Sequence, residues 1–222
     1  MTGEQPTTEA VHADAVIFDM DGTIVDSTEV VEHVWGRVAE RHDLSLDEVL
    51  AYSHGRRSRD TFTHFLPEGA DIDAAVAELE ETELRITEGT KEIPGARALI
   101  DSLGEAPWGV VTSAPRALAL ARIAAAGLPE PRVLVAAEDT PVGKPDPSGY
   151  LLGAERLGVE PGRCVVFEDA DAGVRAAVAS GATTVVVGAY RSALTEGLRA
   201  VPDLRGVAVS AASGASAFVI RM

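Results

Sequence analysis

Five short apolar runs rich in β-branched residues recur along the chain: AVIF (15–18), WGVVT (108–112), RVLVAA (132–137), CVVFE (164–168) and TTVVVG (183–188). Helical patterns with clear punctuation separate several of them. Ser113 can cap and Pro115 can sit in the first turn of RALALARIAAAG, which ends at Gly127. Asp146-Pro147 precedes SGYLLGAERLG, ending at Gly158, and a further helix from Ala170 to Ser180 is closed by Gly181. Short buried strands alternating with helices imply an α/β fold, a parallel sheet covered on both faces.

Residues 30 to about 90 break that rhythm. They carry Glu, Arg and His at helical spacing, as in DIDAAVAELEETELRI, and hold no convincing strand. The expected organisation is a flexible tail over 1–12, an α/β core from 13–28 and 92–222, and a helical insertion over 29–91. GVAVS and AFVIRM read as late edge strands; the role of 191–222 stays open.

Acids outnumber bases 35 to 19, for a formal charge of −16. No basic run is present to displace the counterions of a nucleic acid, so that class of partner is excluded and a solvated acidic surface is expected. Cys164 is the single cysteine, which rules out an internal disulfide; inside CVVF it reads as a small buried thiol. No apolar stretch reaches the ~18 residues that span a bilayer. MTGEQPTTEAVHAD has neither the basic start nor the apolar centre of a secretory signal, so a cytoplasmic protein is expected.

In a parallel α/β sheet, ligands bind at the carboxyl ends of the strands. There the chain places Asp19 and Asp21 after the first run, Thr112 after the second, and Glu168 with Asp169 after a later one. Lys144 lies in the loop VGKPDP. A lone DxD is usually a turn with aspartate caps. Several carboxylates converging on one crevice, however, repel one another unless a cation sits among them. Oxygen-only donors suit Mg²⁺. The only lysines are Lys91 and Lys144, so a lysine between Gly143 and Pro145 stands out in a chain that otherwise uses arginine. Lys144 and Thr112 supply donors for a phosphoryl oxygen.

Side chains at i and i+2 of an extended segment point the same way. Asp19 can therefore attack phosphorus while Asp21 handles the proton of the ester oxygen, as acid and then as base toward water. Gly22 permits the turn, and Thr23 can donate a hydrogen bond that fixes an aspartate or a phosphoryl oxygen.

The motifs DMDGT (19–23), VVTS (110–113), GKPDP (143–147) and FEDADAG (167–173) resemble, in order and spacing, the four motifs of the haloacid-dehalogenase-like superfamily. The resemblance covers about 14 to 190. It implies a Rossmann-like core with an inserted helical cap and an aspartyl-phosphate intermediate on Asp19. Asp21 would be the acid/base, its main-chain carbonyl also touching Mg²⁺. Asp169 would bind the metal, with Glu168 assisting directly or through water, while Thr112 and Lys144 would hold the phosphoryl group and Ser113, with Gly22 and Thr23, would contribute to binding the substrate. Dehalogenases of this fold lack the second aspartate, because halide leaves without a proton, so Asp21 points to a phosphoester.

The cap segment SHGRRSRDTF (53–62) resembles that of the sugar- and polyol-phosphate phosphatases, whose His-Gly-x-Arg-x-x-Asp pattern is met by His54, Gly55, Arg57 and Asp60. His54 and Arg57 would reach the sugar hydroxyls or the phosphate on closure; the plainer alternatives are a loop histidine and a surface ion-pair partner. The expected substrate is a small phosphorylated sugar or polyol, and the expected assembly a monomer or small homo-oligomer. Two other activities fit the same residues. One is a phosphomutase of the β-phosphoglucomutase type, the other an inactive regulatory member, which the retention of Asp19, Asp21, Lys144 and Asp169 disfavours.

Overall fold

The computed structural model describes residues 10–211 and 218–222. In chain order, strands β1 (Ala10–Ala13), β2 (Ala15–Phe18) and β3 (Val25–Asp26) lead into helices α1 (Thr28–His42), α2 (Leu46–Ser53), α3 (Ser58–Phe65) and α4 (Ile72–Arg85). Then follow β4 (Lys91–Glu92), α5 (Ala96–Leu103), β5 (Trp108–Val111), α6 (Arg116–Ala125), β6 (Val133–Val135) and α7 (Ser148–Leu157). The chain continues through β7 (Cys164–Glu168), α8 (Asp171–Ala179), β8 (Thr183–Val187), β9 (Arg199–Val201), β10 (Ala208–Ala211) and β11 (Phe218–Arg221).

A six-stranded parallel sheet in the order β6-β5-β2-β7-β8-β9 forms the core. The period-two geometry of a strand divides β2 between its two faces. Val16 and Phe18 pack toward Leu99 of α5 and Ile123 of α6, whereas Ala15 and Ile17 pack toward Tyr150 of α7 and Ala177 of α8. With both faces covered, all four residues of β2 are buried. That is why the run carries no polar alternation.

The five predicted strands are present, and β9 adds a sixth that a three-residue RAV segment did not announce. The late segments form strands but not on the main sheet: β11 lies between β1 and β10 in a separate antiparallel sheet. This corrects the expected tail. Residues 10–12 belong to a strand because Val11 and Ala13 alternate inward, burying themselves against β11, while Ala10 and His12 face out. Residues 1–9 lie outside those described.

The segment between β2 and α5 holds four helices with an apolar cluster of their own, built on Val30, Val34, Trp35, Val49, Phe62 and Leu79. Its two connections to the sheet run side by side as β3 and β4, with Val25 opposite Glu92 and Asp26 opposite Lys91. Cys164 is buried, and burial pushes its thiol up to about 11, so it stays an inert thiol. Among the described residues no helix is long and apolar enough to cross a membrane.

Candidate active site

Asp19 stands one residue beyond β2, at the centre of the sheet, and its N–H still pairs with the Phe167 carbonyl at 2.9 Å. The chain then turns tightly: the N–H groups of Thr23, Ile24 and Val25 converge on the Met20 carbonyl. Gly22 adopts φ +85°, and a Cβ there would lie 2.0 Å from Asp169 Oδ2. Only glycine meets both demands. Thr23 is fully buried and donates to Asp169 Oδ1 at 3.2 Å, so of the two partners open to it, it holds an aspartate.

Lys144 is 6% exposed and lies between acids. Its ammonium bonds Asp19 Oδ1, Glu168 Oε1 at 2.7 Å and the Val111 carbonyl at 3.3 Å. Burial pulls its pKa down, but Asp19 and Glu168 outweigh burial and hold it above the ordinary lysine value. Asp19 in turn is pushed well above the usual carboxylate range, first by burial and then by Glu168, with Lys144 opposing. The other lysine, Lys91, is exposed on β4, beside Asp26 of β3 and Glu29 in the first turn of α1.

Asp19, Glu168 and Asp169 each bring an oxygen within 4.8 Å of the others. This all-oxygen, hard donor set fits a divalent cation of the Mg²⁺ kind. The three acids do not offer equal access. Both oxygens of Glu168 are already engaged: Oε1 accepts from Lys144 and from Tyr150 at 2.8 Å, Oε2 from the N–H groups of Asp169 and Ala170 at 2.8 and 3.1 Å. Burial, then Glu168, keeps Tyr150 a neutral phenol well above its usual pKa, hence a donor. Asp169 Oδ2 accepts from His54 at 2.8 Å. That bond pushes His54 up to about 9 against the effect of burial, so an imidazolium stands on this oxygen.

Gly173, in the first turn of α8, faces the Glu168 carboxylate so closely that a Cβ would fall 1.5 Å from Oε1. Gly173→Ala gains about 1 kcal/mol of helix propensity. It also evicts a carboxylate on which four donors depend, at a cost of several kcal/mol. A net loss of about 3 kcal/mol in unfolding free energy is expected from urea titration; a variant as stable as the parent would show that the Glu168 loop yields.

A cavity of about 260 Å³ opens on Asp19, Asp21, Thr112 and Ser113 from the core and on α1, α2 and α4 from the insertion. Thr112 continues β5 pairing through its N–H to Val135, and its Oγ1 accepts from the Ala114 N–H at 3.0 Å, which leaves the hydroxyl proton for a ligand. Ser113 does not cap α6. It donates to the Gly55 carbonyl at 2.9 Å, and Pro115 takes the cap position. Gly55 has φ +73° and comes so near the core that a Cβ would sit 2.9 Å from that of Ala170.

His54 and Gly55 are thus brought to the acidic group. Arg57 is not among the cavity-lining residues: its guanidinium turns to the loop before Lys144, donating to Thr140 O at 3.0 Å and Thr140 Oγ1 at 2.7 Å. Asp60 sits in the first turn of α3, where an acid complements the helix dipole. The neighbouring Arg56, which the motif leaves as a variable position, lines the cavity instead.

Sequence reasoning also passed over Arg122 and Glu83. Nη1 of Arg122 donates to Asp21 Oδ1 at 3.0 Å and Nη2 to Glu83 Oε1 at 2.9 Å. Each had a signal: Arg122 falls in the apolar stripe of α6 with Leu118 and Ile123, and Glu83 follows Leu79 by one turn on α4. A charge on a buried helix face calls for a partner.

Fold and site together define a doubly covered parallel α/β protein with a carboxylate-rich crevice at the end of its central strand and an inserted helical unit over it. The family model of the haloacid dehalogenase-like hydrolases matches residues 13–181, and the chain belongs to that family. Hexitol phosphatase A of Escherichia coli (strain K12) is 46% identical over 177 residues, 78% of this chain and 82% of that protein. 2-Deoxyglucose-6-phosphate phosphatase 2 of Saccharomyces cerevisiae (strain ATCC 204508 / S288c) is 32% identical over 193 residues, covering 78% of each chain. In fold alone, the chain is similar to the crystal structure of β-phosphoglucomutase from Clostridium difficile, with a TM-score of 0.76, 19% identity, and coverage of 87% of this chain and 92% of that one.

Proposed function

We propose that this enzyme hydrolyses small phosphomonoesters of sugars or polyols through an aspartyl phosphate on Asp19, with Mg²⁺ as its metal. The observation that carries the reading is Asp21 beside Asp19 on the wall of one cavity, since an alkoxide leaving group needs a proton and a halide does not. A carboxylate oxygen of Asp19 attacks phosphorus, and the ester P–O bond breaks as Asp21 gives its proton to the leaving oxygen. Asp21 then takes a proton from water, whose oxygen attacks the acyl phosphate, releasing phosphate and restoring Asp19.

Lys144 and the Thr112 hydroxyl hold the phosphoryl oxygens. Asp19, Asp169 and the Asp21 main-chain carbonyl would hold the metal, with Glu168 fixing the loop behind them. The cation would offset negative charge between nucleophile and phosphate. Glu32, Ser53, Arg56 and Ser58 line the cavity beside Trp35 and Leu50, a mixed polar and apolar wall of the kind that suits a hydroxylated substrate. The phosphatase names of the relatives at 46% and 32% identity support the same substrate class.

A panel of sugar, polyol and nucleotide phosphates, assayed for free phosphate with Mg²⁺ and with EDTA, tests the proposal. Hexitol and hexose phosphates should lead, and EDTA should remove at least about 90% of the rate. Nucleotides at the head of the panel would overturn the substrate class. Isomerisation of glucose 1-phosphate with little release would make the enzyme a mutase.

A further inference from the structure

Arg122 is 5% exposed on a helix of the core, and its guanidinium spans two carboxylates that belong to different parts of the molecule. One is Asp21, in the loop after β2. The other is Glu83, 7% exposed on α4 of the inserted helical unit. A third contact completes the set: Ser27, the residue before α1, donates its hydroxyl to Asp21 Oδ1 at 2.6 Å. All four side chains border the cavity that opens on Asp19.

A buried ion pair is a poor device for stability, because desolvation cancels most of the attraction and an apolar pair of similar volume does as well or better. The contact of α4 with α6 would be served by two aliphatic residues. What the charged pair does instead is visible at Asp21. Both donors, Arg122 Nη1 and Ser27 Oγ, meet on the same oxygen, Oδ1. Among the described residues, no donor is bonded to Oδ2. The carboxyl group is therefore anchored through one oxygen and presents the other.

The role of Glu83 follows from the shape of a guanidinium. Arginine and carboxylate prefer a two-pronged pairing, in which parallel N–H groups engage both oxygens. Here that fork is split, since Nη2 is committed to Glu83 at 2.9 Å and cannot swing onto Asp21 Oδ2. Remove Glu83, or unseat α4, and nothing holds Nη2 away. Both oxygens of Asp21 then fall to Arg122, and neither is left for an ester oxygen.

We propose that Arg122 is a positioning residue for Asp21. Split between Asp21 and Glu83, it leaves Oδ2 as the oxygen that exchanges a proton with the substrate, and it makes this arrangement conditional on α4 being seated over the core. The inference rests on the phosphomonoesterase reading of Asp21. It adds that the acid is exposed for use only when the inserted helices are in place.

The test compares two esters that differ in their need for an acid. A hexitol phosphate must expel an alkoxide, which leaves only if protonated; p-nitrophenyl phosphate expels a stabilised phenolate that does not need the proton. General acid catalysis contributes about 10²–10⁴-fold, so misplacing the acid should remove a large part of that from the alkyl ester alone. For Arg122→Met and for Glu83→Leu, kcat with the hexitol phosphate is expected to fall about 30-fold or more relative to kcat with p-nitrophenyl phosphate. KM for the alkyl ester should stay within about threefold.

Glu83→Leu keeps the measurement decisive if Arg122→Met fails to fold, because it leaves Arg122 paired with Asp21 and no buried acid stranded. Parallel loss on both esters, or a change confined to KM, overturns the proposal and makes the pair a structural tie or a substrate contact. Wild-type protein that frees phosphate from neither ester overturns the phosphatase reading itself, and the proposal with it.

Discussion

Asp19→Asn is expected to lower phosphate release by about 10⁴-fold or more, measured with a saturating hexose or hexitol phosphate and Mg²⁺. The amide has nearly the same shape as the carboxylate but cannot form an acyl phosphate. No other group is placed to substitute: Glu168 has both oxygens taken by four donors, Asp169 is held by Thr23 and His54, and Asp21, held through Oδ1 by Ser27 and Arg122, keeps its other oxygen for the proton of the ester. The fold should not suffer. Burial and Glu168 already hold Asp19 above the usual carboxylate range, so the native state bears the strain of that charge. Removing it leaves Lys144 paired with Glu168 at 2.7 Å. A melting temperature equal to or above that of the parent is the companion result, as expected where a site holds charges for function at the expense of stability. Turnover above about a tenth of the parent would remove the nucleophile role. Loss of activity together with loss of the folded state would assign Asp19 to structure instead.

What the sequence disclosed and what it concealed divide along a physical line. Asp19, Asp21, Thr112, Lys144, Glu168 and Asp169 were legible because each follows an apolar run or sits in a loop at the carboxyl side of the sheet. Strand order then brings the ends together. The core strands were legible for the same reason, since a strand buried on both faces leaves an unbroken apolar run. The orientation of a long side chain leaves no such trace. Arg56 and Arg57 are adjacent and chemically identical, yet one lines the cavity and the other turns to Thr140, a choice made by how the 54–57 turn docks on Ala170 and Ser113. Arg122 and Glu83 each look out of place on a helix, but 39 residues part them, and only the packing of α4 on α6 shows that they answer one another. Of the small sheet, β10 and β11 were legible as late strands; what escaped was β1 and its pairing, because its partner β11 lies at the opposite end of the chain.

Lys144→Met should produce the largest loss of stability of any substitution in the site, and the size of that loss should depend on pH in a definite direction. Methionine matches the lysine stem in volume, so the change removes charge and hydrogen bonds with little loss of packing. Three carboxylates then share the crevice without the ammonium, and breaking a buried pair in this way costs about 3–5 kcal/mol. In the parent, Lys144 has a folded-state pKa raised above the ordinary value near 10.5. Its contribution is therefore complete at every pH below that value and is lost only as pH climbs through the folded pKa, so between pH 5 and 8 it is constant. The acids behave differently. Asp19 and Asp169 are raised above 3.8, both chiefly by burial. A group raised in this way binds more protons folded than unfolded, and the folded state weakens as pH rises through the raised pKa. Without Lys144 to oppose them, those carboxylates should be pushed higher still. The deficit of Lys144→Met, read as the difference in unfolding free energy from urea titrations with EDTA present, should therefore be smaller at pH 5 than at pH 8. Millimolar Mg²⁺ at pH 8 should recover part of it, because a cation bound to the folded state alone adds stability by mass action. An equal deficit at both pH values, untouched by Mg²⁺, would show that the acids do not repel one another as this geometry requires, and that Lys144 stabilises through its hydrogen bonds rather than by offsetting that repulsion.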